Sequence, residues 1–142
     1  MRFHVTTDVA AEPSAVFAVL SDYRQDPRWR RGVVTMDPQP PGPAHAGTMT
    51  DEVLRFAGVT TRTPGQVTQV VAGEFLAWQA DGPRLAASGI RRVEPSPGGA
   101  HVTLETELQF HGAWRVLQPL VALVYRRQLA RDLRCLKGLV EG

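Results

Sequence analysis

A chain of 142 residues has the size of one domain, so we expect residues 1–142 to form a single domain with its own hydrophobic core. Apolar residues make up 43% of the chain and charged residues 21%, which is ordinary for a globular protein and excludes a disordered or fibrous one. The net charge is only +2 and the basic residues are scattered, so nucleic acid is not an expected partner.

The N-terminal part of the chain predicts one strand followed by two short helices. Apolar and polar residues alternate through residues 2–9, which is typical of a half-buried strand. Pro13 suits the first position of a helix whose apolar face extends to Tyr23. Asp26–Pro27 then predicts a second helix, with the aspartate as its N-cap, and this helix should end near Gly32.

The middle of the chain predicts an antiparallel sheet. A brief strand at 33–36 precedes a proline-rich segment, 37–47, which we expect to join neither a helix nor a strand. Short turns separate the runs that follow, and successive strands joined by short turns are antiparallel, because parallel strands need long crossovers. These runs are Thr48–Phe56, Thr60–Val71 with an interruption at Pro64–Gly65, Phe75–Ala80, Leu85–Glu94 and His101–Phe110.

The last thirty residues predict one long amphipathic helix, Ala113–Gly142, with a kink at Pro119. Its apolar stripe requires a sheet to cover it, and any space that sheet and helix leave unfilled would be a ligand cavity. Strands that follow one another while helices stand apart indicate the α+β class. The residues of the stripe are Leu117, Leu120, Val121, Val124, Leu129, Leu133, Leu136 and Val140.

Short motifs spread over essentially the whole chain support this order of elements. Three of them coincide with the two short helices, others open or end strands or form a turn, and the last lies in the C-terminal helix. They are Glu12–Phe17, Leu20–Tyr23, Pro27–Trp29, Gly47–Thr48, Phe75–Trp78, Glu94–Gly99 and Leu117–Leu120. Together they resemble the helix-grip superfamily of START-related carriers, pollen-allergen-like proteins and polyketide cyclase/dehydrase proteins.

The resemblance implies an α+β helix-grip fold. In that fold a curved antiparallel sheet of about seven strands wraps a long C-terminal helix, and two short helices follow the first strand. It also implies an apolar pocket in which relatives bind lipids, hormones, polyketides or quinones, and in which some catalyse cyclisation or dehydration. The partner expected here is therefore a small apolar ligand, aromatic, polyketide-like or isoprenoid-like, with no cofactor.

Strand parity points to two candidate catalytic side chains. Glu52 shares a strand face with Leu54 and Phe56, and Arg91 shares one with Val93. If these faces line the pocket, Glu52 would act as a proton shuttle and Arg91 would stabilise an oxyanion, with Tyr23 as an auxiliary hydrogen-bond donor. The alternatives are that both side chains face water after a register slip, or that they pair with each other structurally. Candidate ligand-binding residues are Trp29, Thr50, Leu54, Phe56, Trp78, Thr106, Leu120 and Val124.

Several other classes of site lack a signal in this sequence. The four histidines have no metal-ligand spacing, and the lone cysteine, Cys135, permits neither an internal disulfide nor a cysteine-cluster metal site. The sequence has no apolar run of the ~18 residues that a membrane span needs and no secretory signal, so the cytoplasm is expected. The leading interpretation is a small-molecule-binding protein, and whether it also catalyses cyclisation or dehydration stays open; the alternatives are a non-catalytic lipid or quinone carrier or sensor and an interaction module with a collapsed pocket. The chain is expected to be a monomer or a homodimer.

Overall fold

The computed structural model describes residues 1–56 and 58–142. Helices and strands do not alternate regularly along the chain: one strand is followed by short helices, then by consecutive strands and one long helix. The strands are β1 (Arg2–Val9), β2 (Val33–Gln39), β3 (Met49–Phe56), β4 (Val59–Val71), β5 (Phe75–Asp81), β6 (Leu85–Ser96) and β7 (Gly99–Phe110). The helices are α1 (Pro13–Ser21), α2 (Asp26–Trp29) and α3 (Gln118–Glu141), with 3-10 turns at Tyr23–Gln25 and Gly112–Leu117.

Within these described ranges, the seven strands form one antiparallel sheet in the order β1-β7-β6-β5-β4-β3-β2. Strands β2 to β6 each pair with the strand that follows in the sequence, whereas β1 lies beside β7 at the opposite edge. The sheet and the C-terminal helix together confirm the α+β helix-grip fold that the sequence predicts. We call the sheet face toward α3 the inner face.

Helix α3 is 24 residues long, or about 36 Å, and closes the inner face by packing against β1, α1 and α2. Leu129, Leu133 and Leu136 in its C-terminal half are buried in the core. Tyr125 lies between two rings of the sheet, with its ring centroid 4.8 Å from that of Phe3 on β1 and 6.3 Å from that of Phe56 on β3. The helix therefore bridges the two sides of the curved sheet.

The predicted start of the long helix is wrong. A 3-10 turn occupies Gly112–Leu117, and Pro119 lies in the first turn of α3 rather than in its interior. Proline is tolerated there because the first amides of a helix have no intrahelical acceptor, so its missing N–H removes no bond. The predicted kink at Pro119 is therefore also wrong, because this residue lies at the beginning of the helix.

Three proline-containing segments also differ from expectation. Asp37–Gln39 continue strand β2 and pair with β3, and an edge strand accepts Pro38 because one of its sides needs no ladder partner. Pro64–Gly65 do not interrupt β4, because Pro64 pairs only with β3 and the ladder to β5 starts at Gly65. Helix α2 ends at Trp29, short of Gly32.

None of the helices in the described part of the chain is both long and apolar enough to cross a membrane.

Candidate functional site

A buried ion pair between α2 and β6 forms the base of the candidate site. Arg91 Nη1 and Nη2 donate to the two carboxylate oxygens of Asp26 at 3.0 and 2.7 Å, and Nη1 also donates to the Leu20 carbonyl at 2.8 Å. Both side chains are almost completely buried. Burial alone would lower the pKa of Arg91, but the Asp26 carboxylate more than offsets it and raises that pKa above its ordinary value. Both amino groups of this arginine are thus already engaged by the protein.

A second arginine extends the ion pair toward β3. Arg30 Nη1 donates to Asp26 Oδ2 at 3.1 Å, since the two residues are one helical turn apart in the sequence. The same Nη1 lies 2.5 Å from Glu52 Oε1 on the inner face of β3. At this distance the two opposite charges form a close ion pair, although Oε1 has no hydrogen bond of regular geometry within the described residues. The four charges form a chain that ends at Glu52.

Two aromatic side chains cover the Arg91 guanidinium. Its Cζ lies 4.3 Å from the ring centroid of Tyr23 and 5.1 Å from that of Trp29, both within cation–π range. In the part of the chain that the structure describes, the buried Tyr23 Oη and Trp29 Nε1 have no hydrogen-bond partner. Burial raises the pKa of Tyr23 to about 12, so its hydroxyl stays protonated and can donate.

Asp132 brings a further carboxylate to the same region from α3. It is buried and accepts a hydrogen bond from the backbone N–H of Arg31 at 3.0 Å. Burial raises the pKa of Asp132 to about 6, although this hydrogen bond and the charge of Arg30 both favour its ionised form. Within residues 1–56 and 58–142, no group of three or more His, Cys, Asp or Glu side chains is arranged to hold a metal ion.

Aromatic and apolar side chains line the inner face beyond these charges. The hydroxyl of Tyr125 donates to Thr106 Oγ1 at 3.3 Å, and burial raises the pKa of this tyrosine. Trp78 lies directly over Gly89 on the neighbouring strand, where a Cβ would approach the indole to 2.7 Å. Glycine is required at this position because any side chain would displace the tryptophan.

One part of the inner face is less covered than the rest. Side chains of β3, β4, β5 and β6 that point toward the N-terminal half of α3 are only half-buried, in contrast to those near α1. We use the term open half for this part of the inner face and the residues of α3 above it. Half-buried members are Leu54, Phe56, Thr61, Thr63, Trp78, Leu85, Ala87, Val121 and Val124.

The structure brings most of the sequence-predicted site residues to one interior. Glu52, Arg91, Tyr23 and Trp29 lie around the charged chain, and the strand residues Thr50, Leu54, Phe56, Trp78 and Thr106 lie on the inner face with them. Val124 is half-buried, whereas the side chain of Leu120 is 64% exposed on α3.

Sequence reasoning missed four residues of this site, Asp26, Arg30, Tyr125 and Asp132. Asp26 is not the predicted N-cap; it is the first residue of α2, and its carboxylate binds the two arginines instead of a backbone amide. A signal for Asp132 was present, since it occupies the same stripe of α3 as Leu129, Leu133 and Leu136. A lone carboxylate on an apolar stripe indicates a buried polar contact.

A groove of about 580 Å³ lies on the opposite, outer face of the sheet. Its lining mixes polar and small apolar residues, and the polar ones include Gln66, Gln79, Ser88 and Glu107, which alternate with inner-face residues along their strands. This groove is separate from the charged chain and does not match the apolar cavity predicted between sheet and helix.

The chain belongs to the family described as polyketide cyclase / dehydrase and lipid transport, whose model matches residues 1–141. Membership of this family supports a fold of the hydrophobic-ligand-binding class. No curated protein matches the sequence.

Solved structures with the same fold share few identical residues with this chain. The Zhui aromatase/cyclase from a Streptomyces species superposes with a TM-score of 0.86 at 15% identity, covering 99% of this chain and 93% of that one. A START superfamily protein from Mycobacterium smegmatis gives 0.82 at 14% identity, with 99% and 97% covered. The di-domain aromatase/cyclase StfQ of the steffimycin biosynthetic pathway gives 0.79 at 12% identity, with 99% and 50% covered. At these identities the likeness establishes the fold.

Proposed function

We propose that this protein binds a small, mostly apolar molecule that carries polar oxygen at one end, in the interior between the sheet and α3. The observation that supports this most directly is that two buried polar atoms, Tyr23 Oη and Trp29 Nε1, have no hydrogen-bond partner among the described residues. Leaving such a group unsatisfied costs about 1–3 kcal/mol. A ligand that supplies partners would offset that cost.

The chemistry of these atoms describes the complementary end of the ligand. Trp29 Nε1 can only donate, and Tyr23 Oη donates at neutral pH because its pKa is raised to about 12. Glu52 Oε1, as a carboxylate oxygen, accepts. The ligand end therefore needs an acceptor such as a carbonyl oxygen and a donor such as a hydroxyl group.

The rest of the ligand would contact the open half. Leu54, Phe56 and Trp78 provide aliphatic and aromatic surface, and Tyr125 closes the interior from α3. Apolar surface with a few convergent polar groups is the usual composition of a small-molecule site. Arg91 is proposed to act structurally, because it holds Asp26 in place and both its amino groups already donate.

A catalytic function is the second candidate, and the position of the Glu52 carboxylate on the inner face of β3 favours it. The carboxylate would take a proton from a carbon next to a ligand carbonyl. The resulting carbanion would attack a second carbonyl of the same molecule, closing a ring and leaving an alkoxide. The alkoxide would take back that proton from Glu52 and become a hydroxyl group. Glu52 would then remove the second proton from the same carbon, a C=C bond would form as the C–O bond breaks, and the leaving hydroxide would take the proton from Glu52, so that the products are the dehydrated ring and one water molecule.

Native mass spectrometry of the protein purified from its host tests the binding proposal. We expect a fraction of the protein to carry the added mass of one small apolar molecule, which is released when the sample is denatured. The proposal is contradicted if the protein carries only its own mass and also fails to bind the neutral fluorescent aromatic compound 1-aminoanthracene.

Proton exchange at the activated carbon of the diketone 1-(2-naphthyl)butane-1,3-dione in D₂O, followed by NMR, tests the catalytic candidate. If Glu52 is the base, Glu52→Gln should slow the protein-dependent exchange by about 100-fold or more. Asp51→Asn is the matched control, since Asp51 is the neighbouring carboxylate on β3 but is paired with Arg62 on the outer face. Equal exchange in the wild type and Glu52→Gln would exclude the catalytic role and leave a carrier.

A further inference from the structure

An exposed apolar surface lies where the chain enters α3. Val116 is 80% exposed, Leu120 64% and Leu123 55%, although aliphatic side chains of this size are usually covered. The ring of Trp114 is also partly exposed, with Arg84 Cζ 4.9 Å from its centroid. Leu117 completes the surface, which we call the α3 ridge and define as Trp114, Val116, Leu117, Leu120 and Leu123.

Positive charge surrounds and extends the α3 ridge. Arg115 lies within it, and the exposed side of α3 continues with arginines one to three turns farther along the helix. From Ala113 to Val140 the sequence contains one acidic residue, Asp132, and that side chain is buried. The exposed arginines beyond the ridge are Arg126, Arg127, Arg131 and Arg134.

The charge of this surface decides which partner it fits. A second copy related by a two-fold axis would bring the same arginine-rich helix to both sides of the contact, and like charges would oppose each other. A bilayer that contains anionic lipid offers apolar chains to the aliphatic residues and negative head groups to the arginines. Tryptophan next to arginine is also the side-chain composition typical of the membrane–water interface.

We propose that the α3 ridge docks this protein onto anionic lipid bilayers. The 3-10 turn and the start of α3 enter the head-group region, and the arginines of α3 bind lipid phosphates. This surface function is separate from ligand binding in the interior and does not depend on it.

The ridge lies at one end of the molecule, next to the turns that end the open half. The β5–β6 turn contacts it through Arg84, whose carbonyl accepts from the His111 N–H at 2.9 Å just before the 3-10 turn. Strand β4 begins at the same end of the sheet with the exposed Val59. Docking through the ridge thus places the open half beside the bilayer.

Vesicle co-sedimentation tests the proposal, with vesicles of phosphatidylcholine alone and of phosphatidylcholine mixed in equal parts with phosphatidylglycerol. The wild type should bind the mixed vesicles, bind them less as salt is added, and show a blue shift of Trp114 emission. Leu120→Ser combined with Leu123→Ser should weaken this binding by about tenfold or more, because two leucine side chains no longer enter the bilayer.

The matched control is Val34→Ser combined with Val71→Ser. Val34 on β2 is 56% exposed and Val71 on β4 is 40% exposed. The control therefore removes exposed apolar surface that lies away from α3. The control should bind vesicles like the wild type. Three results would overturn the proposal: no binding to mixed vesicles, equal binding by the ridge variant and the wild type, or a dimer in sedimentation velocity that the ridge variant abolishes. Capture of an acidic protein in place of vesicles would overturn it as well.

Discussion

The two halves of α3 have the same kind of apolar residues but different surroundings. In the C-terminal half, Leu129, Leu133 and Leu136 are buried against α1, α2 and β1. In the N-terminal half, Leu120 and Leu123 are exposed and Val124 is half-buried. The C-terminal half of the helix therefore belongs to the core, whereas the N-terminal half is only partly covered.

The buried charges show the same contrast. The Arg91–Asp26 pair lies under α1 and α2 with several well-formed hydrogen bonds, whereas the Glu52 oxygen beside Arg30 has no hydrogen bond of regular geometry among the described residues. Fully paired buried charges hold a structure together, and an unsatisfied one costs stability unless a ligand completes it. We infer that the covered half is scaffold and that the open half carries the function.

The largest effect on stability should come from breaking the buried ion pair. Arg91→Met leaves the buried Asp26 carboxylate with only Arg30 as a charged partner, and should lower the free energy of unfolding by about 3–5 kcal/mol. Urea denaturation measures this. Arg92→Met, the neighbouring exposed arginine on β6, should change stability by less than about 1 kcal/mol. Similar losses in both variants would contradict a structural role for the pair.

A pair of leucine substitutions compares the two halves of α3 directly. Leu136→Ala removes a fully buried side chain and should cost about 2–5 kcal/mol of unfolding free energy. Leu120→Ala removes an exposed one and should cost less than about 0.5 kcal/mol. Chemical denaturation of the two variants checks the difference; a large loss from Leu120→Ala would mean that the ridge is covered in solution.

Asp132 makes the covered half sensitive to pH. Its pKa is about 6 in the folded protein and 3.8 for an unperturbed aspartate, so the folded state binds more protons between these values. Stability should accordingly fall as the pH rises through this window, by on the order of 2 kcal/mol. Asp132→Asn should remove that fall, so the gain in the free energy of unfolding over the wild type should be largest above pH 6. An unchanged pH profile of unfolding in this variant would contradict the burial of a charged Asp132.

Two tyrosine substitutions should give the smallest effects on stability. Tyr125→Phe removes the hydrogen bond to Thr106 and should cost about 0.5–1.5 kcal/mol. Tyr23→Phe removes a hydroxyl without a hydrogen-bond partner among the described residues and should be neutral or stabilising, yet weaken ligand binding. Thermal unfolding and ligand titration separate the two. Equal destabilisation by both substitutions would mean that the Tyr23 hydroxyl has a partner in the protein.

Strand alternation predicted the inner face well, because side-chain parity depends only on local geometry. It placed Glu52, Arg91 and the apolar strand residues on candidate pocket faces, and the structure has them on the inner face. Proline was less informative. Its effect depends on whether the missing N–H had an acceptor, and that depends on neighbouring strands at Pro38 and on the helix start at Pro119.

The partners of the charged residues could not be predicted from local pattern. Arg91 and Asp26 are 65 residues apart, and their contact depends on how α2 packs onto β6. Arg30 had no distinguishing feature in the sequence, although its spacing of four residues from Asp26 fits a helical ion pair. The exposure of Leu120 was also missed, because helical periodicity identifies an apolar face but not the length of helix that the sheet covers.

Titration with 1-aminoanthracene tests the central claim, that the open half of the interior takes up a small apolar molecule. Thr61 and Thr60 are adjacent on β4 and point to the inner and outer faces, opposite Leu54 and Arg55 respectively. Thr61→Phe should fill the interior and weaken binding by about tenfold or more, which corresponds to about 1.4 kcal/mol. Thr60→Phe should bind like the wild type. Equal affinity in all three proteins, or equal weakening in both variants, would contradict binding between the sheet and α3.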